Sequence, residues 1–117
     1  MPSLGMQGPY RLIPSEIDRV VTGTHAGNFA IGYIKDAAKR TFVVRYIGRA
    51  DADLNRTLKE QEADESSWFK WSYAPSEKAA FDRECKNFHD FGEYGQLEND
   101  YHPEPPEGTN WKCPVCE

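Results

Sequence analysis

Nowhere in its 117 residues does the chain carry an apolar run of about 18, the length a membrane-spanning helix needs. The N-terminal stretch MPSLGMQGPYRLIPSE lacks the charged region followed by an apolar segment that marks a secretory signal. A cytoplasmic protein with no membrane partner is therefore expected. Cysteine is scarce and odd in number: Cys85, Cys113 and Cys116. Without an export signal, that count speaks against a disulfide framework and for thiol chemistry or metal binding. Basic charge is short as well, 14 Lys and Arg against 19 Asp and Glu, for a net charge of −5. Domains that coat nucleic acid nonspecifically are usually basic, so that class is disfavoured. The shortage is uneven. Residues 1–60 hold 9 Lys/Arg against 6 Asp/Glu, and residues 61–117 hold 5 against 13. A basic face on the first half can still meet phosphates, although ordinary solvated surface explains the same counts.

What is present suits one compact α+β domain, with a core rich in Phe, Tyr and Trp. Residues 15–22 read as a short helix capped by Ser15, with Ile17, Val20 and Val21 apolar. Residues 28–35 and 41–48 read as two antiparallel strands joined by a turn at 36–40, and TFVVRYIG is rich in residues that favour a pleated surface. Asp51 offers a helix N-cap ahead of Leu54 and Leu58, which share a helical face. Phe69, Trp71 and Tyr73 alternate in a third strand over 67–74. Pro75 stops it, Ser76 caps the next helix, and Phe81, Phe88 and Phe91 keep helical spacing up to Gly92. The expected order is β-β-α-β-α: a small three-stranded antiparallel sheet flanked by helices. Residues 1–23 form an N-terminal extension with a short helix, 24–92 the domain, and 93–117 an irregular acidic, Pro-rich tail.

Two constellations go beyond folding. Tyr46 and Arg49 stand at the end of the second strand, and Arg56 follows on the next helix, away from Leu54 and Leu58. A phenol and two guanidiniums converging on one spot would suit a phosphate, since guanidiniums bind it bidentately and stabilise its developing charge. An exposed tyrosine among solvated arginines is the plainer alternative. Glu84 lies on the Phe81–Phe88–Phe91 stripe. A carboxylate there is costly unless it is paired, reaches solvent, or binds a hard cation such as Mg²⁺.

Together these residues resemble the GIY-YIG nuclease family. The second family motif is literal in Tyr46-Ile47-Gly48, the basic residue after it corresponds to Arg49, and the helix arginine to Arg56. Ala80…Glu84 fits the A-x-x-x-E of the family's metal-binding glutamate. The first motif matches Gly27-Asn28-Phe29 best, with Gly32-Tyr33-Ile34 as an alternative. The resemblance implies DNA phosphodiester hydrolysis. Tyr46 would position or deprotonate water, Arg56 would bind the scissile phosphate with Arg49 assisting, and Glu84 would hold Mg²⁺ or Mn²⁺. A phenol with its ordinary pKa near 10 is a poor base at neutral pH, so arginines and metal must help it. The chain departs from the pattern in two places. Phe29 stands where the first motif has tyrosine, and Glu60 sits one turn after Arg56, where it can pair with it. Gln96 and Asn99 are the candidates for a later family asparagine.

The tail ends in Cys113-Pro114-Val115-Cys116, the spacing of a zinc knuckle. Cys85 and His89 are one turn apart on the last helix and share a face. Cys85, His89, Cys113 and Cys116 would make a tetrahedral Zn²⁺ set, with His102 as a substitute for His89. Alternatively Cys85 is a small buried hydrophobe and the CxxC a loose dithiol. The functional expectation is a metal-dependent DNA endonuclease. The rivals are a catalytically silent domain that binds nucleic acid or protein through the same face, and a zinc-stabilised interaction module. With little room for a recognition domain, specificity would come from a protein partner or a homodimer.

Overall fold

The computed structural model describes residues 5–36, 38, 41–61, 66–92, 103–106 and 108–115. Seven elements follow in the order β1 (Gln7–Arg11), α1 (Pro14–Val20), β2 (Gly27–Asp36), β3 (Thr41–Ala50), α2 (Leu54–Lys59), β4 (Trp68–Tyr73) and α3 (Glu77–Gly92). The strands form one antiparallel sheet in the order β1-β4-β2-β3. The expected three strands are thus four. Gln7–Arg11, assigned above to an N-terminal extension, pairs with β4 through Tyr10↔Phe69 and Arg11↔Trp68. Its Gly and Pro hide it from a strand pattern, and proline in a sheet is tolerated at an edge, which is where β1 lies.

Side chains alternate across a strand, and the register sorts the residues by face. Phe29, Ile31, Tyr46, Gly48, Ala50, Phe69 and Trp71 share one face, since Phe29 pairs with Gly48 and Trp71, and Ile31 with Tyr46 and Phe69. That face meets Leu12, Ile17 and Val21 around α1 and Leu54 and Leu58 of α2 in the main core. Asn28, Ala30, Ile47 and Arg49 point to the other face, where α3 packs. The result is three layers, with α1 and α2 on one side of the sheet and α3 on the other.

Two caps differ from expectation. Pro14 occupies the first turn of α1 and Ile13, not Ser15, is the N-cap residue, with no side-chain cap. Proline's fixed φ suits that first position and starts the helix ahead of Ser15. In α2 the cap is Asp53, which accepts the backbone N–H of Arg56, whereas Asp51 is turned to Arg49. Ser76 does cap α3, accepting from the N–H of Ala79. Asparagine and lysine side chains lash the two short helices together: Asn55 donates to the carbonyl of Val21 at 2.9 Å, and both Asn55 and Lys59 donate to Asp18. Among the described residues no helix is long and apolar enough to cross a membrane.

Gly48 is required where it stands. A Cβ there would lie 2.3 Å from Cζ of the Phe29 ring, which is 2% exposed and cannot retreat. Gly48→Ala is expected to cost about 1–3 kcal/mol in urea unfolding through overpacking. The cost should shrink in a Phe29→Leu background, a coupling that a double-mutant cycle reads directly. Equal costs in both backgrounds would mean that this contact does not set the strand spacing.

Candidate functional site

The sequence motifs meet at the C-terminal half of β3, which is an edge of the sheet formed by the described residues. Between Tyr46 and Ala50 the pairing with β2 is regular, so Tyr46 and Arg49, three residues apart, point to opposite faces. This is a correction to the expected convergence of the phenol and both guanidiniums on one spot. The Tyr46 ring stacks on Phe29 on the α1/α2 face, with centroids 6.2 Å apart and planes 22° from parallel. Arg49 reaches across the other face to α3.

There its guanidinium holds two carboxylates. Nη1 donates to Glu84 Oε1 at 2.6 Å and Nε donates to Asp51 Oδ1 at 2.8 Å. The Arg49 and Glu84 side chains are only 12% and 11% exposed, whereas Asp51 opens to solvent. The guanidinium also lies 5.3 Å from the centroid of the Phe81 ring, a cation–π distance. Burial works against its charge, but the hydrogen bond to Asp51 and the charge and hydrogen bond of Glu84 outweigh it and hold Arg49 above its ordinary pKa. The costly carboxylate on the aromatic stripe is therefore answered by the residue that follows Tyr-Ile-Gly.

A second tie runs beside the first. Asn28, the β2 residue directly opposite Arg49, is fully buried and donates from Nδ2 to the carbonyl of Ala80 at 2.8 Å. Ala80 and Glu84 are one helical turn apart, and Ala80 is also fully buried. Two neighbouring strand residues thus grip α3 at consecutive turns, and the small Ala80 lets the helix approach. The sequence gives neither Asn28 nor Asp51 a part in holding α3 or Arg49. The signal for Asn28 is an amide inside a buried strand, in alternation with Phe29; that for Asp51 was masked by its suitability as a cap.

Arg56 sits on the solvent side of α2, its side chain 78% exposed. Glu60 is paired with it as the spacing suggests, but at 3.8 Å between two exposed groups, a contact worth little. Arg56 is therefore available to a phosphate at modest cost. It extends from the face opposite Glu84. Tyr46 and Phe29 lie on the α1/α2 face of the sheet, the face on which Arg56 is carried by α2, and Arg49 and Glu84 lie on the other.

For the divalent ion that the resemblance implies, the hard oxygens of Glu84 and Asp51, both held by Arg49, are the appropriate donors. Glu84 fits a site that uses one carboxylate with water and phosphate for the remaining positions.

The cysteine residues form a separate centre. Cys85 and Cys113 are both buried, neither is in a disulfide, and they pack with Phe81 and Trp111. Burial pushes the Cys85 thiol well up, reinforced by a hydrogen bond shared with the Cys113 thiol. His89 is half-buried, edge-on to Phe88. Among the described residues no three His, Cys, Asp or Glu side chains gather as a metal group, so His89 does not close on the two thiols. Cys116, His102, Gln96 and Asn99 lie outside the described residues. No protein-family model, curated protein or solved structure matches the chain.

The Arg49–Glu84 pair makes a structural demand that is separable from any chemistry. Arg49→Ala strands a mostly buried carboxylate and is expected to destabilise by about 3 kcal/mol in chemical denaturation. Replacing both residues, as Arg49→Met with Glu84→Leu, should recover most of that loss. A single variant as stable as wild type would show that Glu84 finds solvent instead.

Proposed function

We propose that this chain is a divalent-metal-dependent endonuclease that hydrolyses DNA phosphodiester bonds at the β3 edge. The observation that carries the reading is the 2.6 Å bond between Arg49 and Glu84. These are motif residues 35 positions apart, and the fold joins them at the end of the Tyr-Ile-Gly strand. In the substrate-free chain Arg49 neutralises Glu84. A phosphodiester arriving at the edge competes for that guanidinium, because phosphate and carboxylate present it with the same bidentate geometry. Glu84, with Asp51 adding negative charge nearby, would hold the divalent cation. Mg²⁺ or Mn²⁺ bound there would supply Lewis-acid stabilisation of the leaving oxygen. Arg56, on an exposed helix face, binds the phosphate from the opposite side of the edge, and Tyr46 orients the attacking water.

A second reading is favoured by two specific contacts. Phe29 brings a buried ring and no hydroxyl beside Tyr46, and Arg49 already satisfies Glu84. A chain that kept the clamp and lost the chemistry would bind nucleic acid without cutting it.

Cleavage of supercoiled, linear and branched DNA in Mg²⁺ or Mn²⁺ separates the two. Arg56→Ala and Glu84→Gln are each expected to lower turnover by about 10²–10³-fold, in line with losing one charge-stabilising group, and Tyr46→Phe by a similar factor. Unchanged cutting in Arg56→Ala and Glu84→Gln would remove the assignment. DNA binding that falls steeply with salt and depends on Arg56, with no cutting of any substrate, would establish the second reading. Neither cutting nor binding would end both.

A further inference from the structure

We infer that Arg45 is a further phosphate-binding residue of the β3 edge, brought to the side of Tyr46 by a bulge in the strand, and that it holds the DNA backbone next to the scissile phosphate. Its substrate is the DNA of the nuclease reading, on which the assignment rests. Arg45 and Tyr46 are adjacent in sequence, so a regular strand would send them to opposite faces. The pairing is not regular there. Ile31 is opposite Tyr46 and Gly32 is opposite Val44, which leaves Arg45 as an extra residue on β3. From that point the alternation slips by one. Val44 and Phe42 pack with Ala30 and Ile47 on the α3 side, where unbroken alternation would turn them to the side of Tyr46. Tyr33 stays on the α1/α2 side with Ile31, because β2 carries no extra residue between them. The Arg45 guanidinium lies 5.4 Å from the centroid of the Tyr33 ring, so it is on that side too. Gly32 permits the bulge, since a Cβ there would collide with the carbonyl of Val43.

The α1/α2 side of β3 thus carries what Arg49 does not supply, a guanidinium next to the Tyr46 phenol. Arg45 is exposed, while Tyr33 and Tyr46 are half-buried. A ring orients a guanidinium through its flat face, whereas a phosphate is bound through its edge, so the two contacts are compatible. Arg56 is carried on the same side by α2. That helix packs at the Ala50 end of the strand, where Leu54 approaches Gly27, the residue opposite Ala50. Arg45 lies in the other direction along β3. A DNA strand running along this side from Arg56 past Tyr46 would meet Arg45 at a neighbouring phosphate.

The test measures binding of the full chain to duplex DNA without divalent metal, so that no cutting intervenes, and then cleavage with it. Because Arg45 is exposed, Arg45→Ala leaves the core intact. It is expected to weaken binding about tenfold, the loss of one charge-assisted contact. It should also reduce the slope of log affinity against log salt by about one. In cleavage the loss should fall on KM more than on kcat. Arg45→Lys should keep the wild-type slope. Tyr33→Leu, which removes the ring and no charge, should weaken binding about threefold at an unchanged slope. Wild-type affinity and slope in Arg45→Ala would overturn the assignment, and cutting retained by the wild-type chain would then leave the nuclease reading standing. Arg45→Lys with the reduced slope of Arg45→Ala would overturn it as well. A slope reduced in Arg45→Ala and restored in Arg45→Lys, with no cutting by any form, would uphold the phosphate contact and remove the nuclease reading. No binding of DNA at low salt would end both.

Discussion

The arrangement depends on how one strand pair grips one helix. Asn28 and Arg49 face each other across β2 and β3, and each reaches the same side of the sheet to bind α3, at Ala80 and at Glu84. One bond goes to a backbone carbonyl and the other to a carboxylate, and both are shielded from water. A buried hydrogen bond contributes modestly when made and costs more when broken, so the pair acts chiefly as a specification. Rotation or sliding of α3 by one residue would strand Asn28, Arg49 and Glu84 together. The position of everything else on that face, including Phe81 and the Cys85–Cys113 contact, is inherited from this grip.

The opposite face obeys a different physics. Phe29, Phe69, Trp71, Leu54, Leu58, Ile17 and Val21 form an apolar core in which Gly48 makes room for a ring. Fully burying one such side chain contributes about 1.5–3 kcal/mol, so this layer supplies most of the adhesion. The polar face sets register and the apolar face sets stability. The Tyr-Ile-Gly stretch serves both at once, since Tyr46 and Gly48 point to the core while Ile47 and Arg49 point to α3.

Much of this was legible in the residues themselves. β-Branched and aromatic runs marked β2, β3 and β4 to within about two residues, and the Phe81–Phe88 spacing marked α3. The cost of Glu84 on an apolar stripe requires a pairing, solvent or a bound cation, and the structure pairs it with Arg49; the i,i+4 pairing of Arg56 with Glu60 is present. β1 escaped notice because Gly8 and Pro9 break every strand pattern, and only its pairing with β4, some sixty residues away, makes it a strand. Asp51 reads as a cap because propensity alone does not distinguish two aspartates two positions apart; the guanidinium of Arg49, two residues before it, claims Asp51 and leaves the cap to Asp53. The joint siting of Tyr46 and Arg49 failed for a simpler reason. Proximity in sequence suggests proximity in space, whereas the period of two in a strand separates residues at odd spacing.

The strand order has a consequence for how the chain is made. β2 and β3 are a local hairpin and can pair as soon as both leave the ribosome. β1 is synthesised before either, but its register partners Phe69, Trp68 and Trp71 arrive only with β4. It must therefore remain without its strand partner through the synthesis of α1, β2, β3 and α2, until a loop of roughly sixty residues closes. The proline and glycine that obscure β1 in the sequence also make it a poor template for pairing with other nascent chains in that interval. The feature that defeats recognition of the strand is the one that protects it while it waits.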